Sequence, residues 1–320
     1  MSSRAEPKTI FSSETLVKKG LCPVTQIKGE APPIESHSLY FEQHGRGPEK
    51  ILFIMGLNSS SFSWQHQVEY FGPLDKYSIL VFDNRGVGNS DAPRGPYTTG
   101  GMAEDVIVLL DYVGWTEQRQ VHVVGVSMGG MVAQELATRI PQRIASMLLA
   151  VTSAGGHVWN NFPPWNGVST LAKLTFTKDP ATKVRMIMDM VFPLAWLAEP
   201  SSSDPTITNR EAQTRLYMVR ILATTPQTLV GTLSQMAAGL THYVSAERLR
   251  QIAMDVPKII LVTGDEDNLV PPTRSEWIKE CMGPQVELEK WDHTGHALQI
   301  QRPERFNALV ERIVKESRGS

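Results

Sequence analysis

The sequence predicts an α/β fold, a mostly parallel sheet flanked by helices, with a helical segment inserted into it. Three observations predict this. Short apolar runs alternate with segments whose apolar residues recur at every third and fourth position. The strand-like runs are nearly continuous in Val, Ile, Leu and Phe, as expected when a sheet is covered on both faces. The alternation stops near residue 155 and resumes near residue 257, which marks the insertion.

Residues 1–36 mix Ser, Lys, Pro and Glu, include "GEAPPIES", and read as an N-terminal arm or an early strand at the domain edge. From residue 37 onward, strands are expected at "HSLYFEQ", "KILFIMG", "YSILVFD", "VHVVGVS" and "IASMLLAV", and later at "KIILVTG" and "VELEKWD". Between and after them, "MAEDVIVLLDYVGW", "GGMVAQELATRI", "TRSEWIKECMG" and "PERFNALVERIVKES" carry the spacing of one helix face. The core is therefore assigned to residues 37–154 and 257–320. Over residues 155–256 strand signals are scarce. Helical stretches such as "ATKVRMIMDMVFPLAWLAE" are separated there by breaks such as "AEPSSSDPT", which suits a helical insertion better than a second catalytic domain.

Composition narrows the function. Lys and Arg number 31 against 33 Asp and Glu, a net charge of −2, and the cations are scattered, so nucleic acid and acidic membrane surfaces are poor partners. No run approaches the roughly 18 apolar residues of a membrane span, and "MSSRAEPKTIFSSETLVKKG" lacks the apolar centre of a signal peptide. The expectation is a soluble, cytoplasmic protein. Cys22 and Cys281 are too few for a disulfide framework, lie at no metal-ligand spacing, and read as free thiols.

The stretch "VHVVGVSMGGMVAQELATRI" sets Gly125, Ser127 and Gly129 where a strand hands over to a helix. In that context G-x-S-x-G builds a strained turn that lifts the serine hydroxyl above the sheet, with glycines allowing strand and helix to approach. The plainer alternative is that Ser127 caps the helix. A serine hydroxyl is a poor nucleophile, so the chemical reading requires a histidine base, a carboxylate to orient it, and donors for the oxyanion.

"WDHTGHALQIQRPERF" offers His293 and His296 in a loop before the final helix, and His296, after Gly295, is preferred. "KIILVTGDEDNLVPP" ends a strand in Asp265, Glu266 and Asp267, of which Asp267 is preferred and Asp265 held in reserve. Acids at strand ends also serve as caps and turns, and late histidines also serve structure. Together, however, Ser, Asp and His fall in that chain order at the carboxyl ends of predicted parallel strands, where open α/β sheets place their sites.

Through "KILFIMGLNSSSFSW", "VFDNRGVGNSDAP", "GVSMGG", "TGDEDNLVPP" and "TGHALQIQRPE", over nearly all of residues 37–316, the chain resembles the α/β-hydrolase family. The resemblance implies Ser127 as nucleophile, Asp267 as third triad member and His296 as base. It also implies an oxyanion hole from the backbone N–H groups of Leu57 and Met128. Met128 opens a helix whose first amides are free and whose dipole favours negative charge, which supports that role. Many members have His-Gly where this chain has Met55-Gly56, a change that leaves a backbone donor intact. "MGLNSSSFSW" is similar to a subgroup that includes the aclacinomycin methylesterases. Asp83 and Arg85 fall in a turn that the family uses structurally, and a salt-bridged loop is expected there.

By the same resemblance, residues 155–256 would be a lid over the triad. Its Trp159, Trp165, Met190 and Trp196 are candidate substrate contacts in an apolar, adaptable pocket, although such residues at helical spacing also make lid core. The expected activity is cleavage of a carboxylic ester in a small to medium apolar substrate through an acyl-enzyme, with no metal or organic cofactor required. A serine-dependent C–C bond hydrolase of β-diketones and a low-turnover ligand receptor are the alternatives. Family members with an aspartate nucleophile are a poor match because residue 127 is serine.

Overall fold

The computed structural model describes residues 7–24, 36–158, 161–177 and 179–319. Eight strands among them form one sheet in the order β1-β2-β4-β3-β5-β6-β7-β8. They are β1 (Leu16–Val24), β2 (His37–His44), β3 (Glu49–Ile54), β4 (Tyr77–Phe82), β5 (Val121–Val126), β6 (Ile144–Ala150), β7 (Lys258–Gly264) and β8 (Glu287–Trp291). β1 and β2 pair antiparallel, as do β2 and β4, and every later pairing is parallel. Part of the N-terminal segment is thus an edge strand rather than a free arm.

Helices α1 (Gln65–Phe71), α2 (Thr99–Val113) and α3 (Met128–Arg139) follow β3, β4 and β5. Between β6 and β7 lie α4 (Trp165–Phe176), α5 (Pro180–Val191), α6 (Leu194–Ala198), α7 (Asn209–Ala223), α8 (Leu229–Thr241) and α9 (Ala246–Asp255). α10 (Pro272–Met282) follows β7, and α11 (Leu298–Gln301) and α12 (Pro303–Arg318) follow β8.

The central strands β4, β5 and β6 are buried at every position. Successive side chains enter opposite layers. Ile51 and Phe53 pack with Trp64, Phe71, Phe306 and Val310 on the side of α1 and α12. Leu52 and Ile54 pack with Val106, Leu110, Val132 and Leu136 on the side of α2 and α3. Apolar side chains are therefore needed at both phases of the strand, which removes the alternation from its sequence.

The inserted helices have an apolar cluster of their own, with Val184, Met188, Phe192, Trp196 and Leu197 packed around Ile300 of α11. α9 packs differently: Leu249, Ile252 and Ala253 join the layer formed by α2 and α3. α8 is seated on the loop after β4 so closely that a Cβ on Gly231 would stand 2.4 Å from the Gly86 carbonyl oxygen.

That loop is braced by charge, although Asp83 and Arg85 do not pair with each other. The Arg85 guanidinium grips Asp105 of α2 at 2.6 and 2.7 Å. The buried Asp83 carboxylate accepts the Ser61 and Asn89 amides at 2.6 and 2.7 Å, and burial pushes its pKa up to about 6. No helix among the described residues is long and apolar enough to cross a membrane.

His242, just after α8, is buried with Nδ1 2.8 Å from Thr99 Oγ1. Burial holds its pKa down to about 4, with Glu135 opposing that shift and Arg248 adding to it. Between that value and an unfolded value of about 6.5, the unfolded chain binds more protons, so this group's contribution to stability is lost as pH falls through the window. Melting temperatures measured from pH 7.5 down to 4.5 should fall less steeply for His242→Gln than for the unmodified protein. Equal slopes would contradict this.

Candidate active site

β5 runs out at Val126, and the Ser127 amide still donates to Ala150 of β6 at 2.9 Å. The chain then turns sharply, with Ser127 at φ 57° and ψ −123°, before α3 begins at Met128. A non-glycine residue held at positive φ is strained and persists only when its surroundings fix it. Here several contacts do so. The Thr152 hydroxyl donates to the Ser127 carbonyl oxygen at 2.7 Å. A Cβ on Gly129 would stand 2.1 Å from the Ile54 carbonyl oxygen, and one on Gly125 would stand 2.5 Å from that of Gly129. The motif's glycines are explained by these close approaches. The Ser127 side chain makes no capping hydrogen bond to α3, so helix capping does not account for the serine.

The strand that precedes the other expected oxyanion donor passes beside this turn. A Cβ on Gly56 would lie 3.0 Å from Ser127 Cβ and 3.5 Å from its Oγ. Leu57 follows directly, and Met128 occupies the first position of α3, where amides lack an acceptor within the helix.

Asp267 and His296 are brought together. His296 Nδ1 lies 2.8 Å from Asp267 Oδ2, with the carboxylate side chain fully buried and the imidazole 10% exposed. Asp267 Oδ1 accepts the Leu269 and Val270 amides at 2.8 and 2.9 Å, which fixes the carboxylate in place. A carboxylate only accepts, so the neutral imidazole carries its proton on Nδ1 and keeps a lone pair on Nε2. The other candidates lie elsewhere. Asp265 is exposed and accepts the Thr294 amide at 3.1 Å. His293 has an 84% exposed side chain facing Glu266 at 3.3 Å.

Three polar residues that sequence reasoning passed over brace these loops. Gln235 of α8 accepts the Asn58 amide at 2.8 Å and donates to the Arg85 carbonyl oxygen at 2.7 Å. Asn84 Nδ2 donates to the Met55 carbonyl oxygen at 2.9 Å, and Thr152 holds Ser127 as described. Gln235 had a signal, as the lone long polar side chain in the apolar run "LSQMAAGL".

The candidate lid contacts scatter. Trp165 is 80% exposed. Trp196 lies in the insertion's own cluster against Phe192, ring centroids 4.9 Å apart. Met190 lines a cavity of about 390 Å³ with Met186, Gly167 and Asn268, the last adjoining Asp267. Trp159 lies outside the described residues. Among the described residues no cluster of three or more His, Cys, Asp or Glu could hold a metal ion. The Cys22 thiol, pushed up to about 11 by burial, is not a nucleophile at neutral pH.

A family model described as the alpha/beta hydrolase fold matches residues 50–303. A putative carbamate hydrolase, RutD, from Azorhizobium caulinodans is 26% identical over 274 residues, covering 85% of this chain and 93% of that protein. The 3-oxoadipate enol-lactonase 2 of Acinetobacter baylyi is 38% identical over 104 residues, covering 32% of this chain and 37% of the relative. A thermophilic esterase from Thermogutta terrifontis superimposes with a TM-score of 0.71 at 20% identity, covering 94% and 99% of the two chains, a likeness of fold.

The contact between Gly129 and β3 generates a prediction. Gly129→Ala should destabilise the protein by about 2 kcal/mol or more, since a backbone carbonyl cannot give way to the added methyl. Urea unfolding measures this, and a change within about 0.5 kcal/mol would contradict the stated packing.

Proposed function

The chain belongs to the α/β-hydrolase family, and on that premise we propose that it is a serine hydrolase that cleaves a carboxylic ester through an acyl-enzyme. The buried hydrogen bond between Asp267 and His296 carries the reading, because it leaves the other imidazole nitrogen with a free lone pair, on a loop that follows β8 at the same carboxyl edge of the sheet from which Ser127 follows β5. The names of the relatives agree in kind. An enol-lactone is a cyclic ester, and the thermophilic neighbour is an esterase.

His296 Nε2 takes the Ser127 proton as Oγ adds to the substrate carbonyl carbon. Negative charge moves to the carbonyl oxygen, where the Leu57 and Met128 amides donate, each preorganised donor being worth roughly 3 to 4 kcal/mol. Collapse breaks the bond to the alkoxide leaving group, which takes the proton from His296 and departs as alcohol. Water, deprotonated by the same nitrogen, then attacks the acyl-serine and releases the acid. Asp267 holds the tautomer and offsets the positive charge that forms on the ring. The inserted helices α4 to α8 act as a lid whose inner side walls the cleft.

Assays on p-nitrophenyl esters test the roles. Ser127→Ala should abolish fluorophosphonate labelling and lower kcat by about a thousandfold or more, and His296→Ala should lower kcat on the same scale. His293→Ala should stay within about twofold. A large loss at His293 with His296 dispensable would move the base, and full turnover in Ser127→Ala would sink the mechanism. Faster cleavage of a β-diketone than of any ester would reassign the scissile bond.

A further inference from the structure

Among the described residues two arginines are almost wholly buried, Arg85 at 5% exposure and Arg220 at 6%. Arg85 has Asp105 as its counter-ion. Arg220, on α7, has none: its buried Nε and Nη2 make no hydrogen bond, and no carboxylate among the described residues forms an ion pair with it. Glu69 is near enough to be felt electrostatically, but it is exposed and accepts a hydrogen bond from Gln65 Nε2 at 2.8 Å. Burial pushes the guanidinium down only to about 10, so it stays cationic at neutral pH. A buried, unpaired charge is costly, and native structures rarely leave one without a function.

Its helix packs near both halves of the candidate site. Within the turn before Arg220, Tyr217 and Met218 pack on the cluster that includes Ile300 and takes in Ala297, the residue after His296. One turn after it, Ala223 packs on the cluster that contains Trp64 and Leu298. Beyond α7, Gln227 Nε2 donates to Asn58 Oδ1 at 2.8 Å, and Asn58 follows Leu57. α7 thus runs along the seam between α11 and the segment that leads from Leu57 into α1, and its Arg220 is near enough to Tyr217, Glu69 and His66 to be felt electrostatically. This seam adjoins both the base loop and the oxyanion loop. The neighbouring imidazole of His66 is held down by burial and by Arg220 itself, with Glu69 and Glu304 opposing that shift.

We propose that Arg220 anchors a carboxylate on the substrate, so that the ester hydrolysed here carries a free acid at a distance from its scissile carbonyl. This rests on the serine-hydrolase reading and narrows its substrate class. A planar fork of N–H donors matches a carboxylate two bonds at a time, and one positive charge suits a monoanion. The bound acid supplies the counter-ion that the fold omits.

Mono-p-nitrophenyl esters of dicarboxylic acids of graded chain length, compared with neutral p-nitrophenyl alkanoates of equal length, test the proposal. The unmodified enzyme should favour the acid at its best length by about tenfold or more in kcat/KM. Arg220→Met should lose that preference, and Arg220→Lys should keep part of it. A ratio of one or less at every length in the unmodified enzyme overturns the proposal whether or not Arg220→Met folds. So does a ratio unaltered in a folded Arg220→Met. Calorimetric binding of adipate, present in the unmodified protein and absent in Arg220→Met, reads the anchor without turnover. If Ser127 proves unreactive while adipate binding still depends on Arg220, the hydrolase reading fails and the anchor stands. If labelling and turnover are normal and adipate does not bind, the anchor fails and the hydrolase reading stands.

Discussion

The backbone of Ser127, forced to positive φ at the end of β5, is the constraint on which the other features depend. Such a conformation costs of the order of 1 to 3 kcal/mol in a residue with a side chain. It is held by contacts that bring α3 against β3 with no room for a methyl group at Gly125 or Gly129. The same contacts set the Met128 amide at a helix start and draw Gly56 to within van der Waals range of the serine side chain. Strain at Ser127 and the packing of α3 and Gly56 around it are one structural event.

The second half of the site is built by burial of polar groups in satisfied networks. Asp267 is fixed by two backbone amides before it meets His296. The inserted helices rest on the loops that carry the proposed base and the proposed oxyanion donor. The Ala297 amide donates to the Val191 carbonyl oxygen at 3.1 Å, and Gln227 and Gln235 hold Asn58. A shift of α5 or α8 therefore moves the loop of the proposed base or of the proposed oxyanion donor, so the insertion is mechanically coupled to both.

Much of this was legible in the sequence for a physical reason. Strands buried on both faces must be apolar throughout, and β4 to β6 are. The glycines around Ser127 announced a close approach that only tertiary contacts could require. The choice of Asp267 over Asp265, two residues apart on one loop, was harder to read, because it turns on which carboxylate the Leu269 and Val270 amides reach. Helical spacing told that Trp165 and Trp196 belong to amphipathic segments but not which face points inward, and one proves exposed and the other packed. α9 carries a helix signal like its neighbours, yet its apolar face joins the core layer. Arg220, in "TRLYMVRILA", reads locally as a solvent-facing cation, and only the packing of α7 buries it.

The most direct test of the central claim is to locate the acyl group itself. A p-nitrophenyl dialkylcarbamate transfers a carbamoyl group that leaves an enzyme slowly, so the adduct can be trapped by acid and mapped by peptide mass spectrometry. The account predicts one carbamoyl group per chain, on Ser127, formed in step with p-nitrophenol release. A carbamoyl group on another side chain, or p-nitrophenol release with Ser127 unmodified, would contradict it.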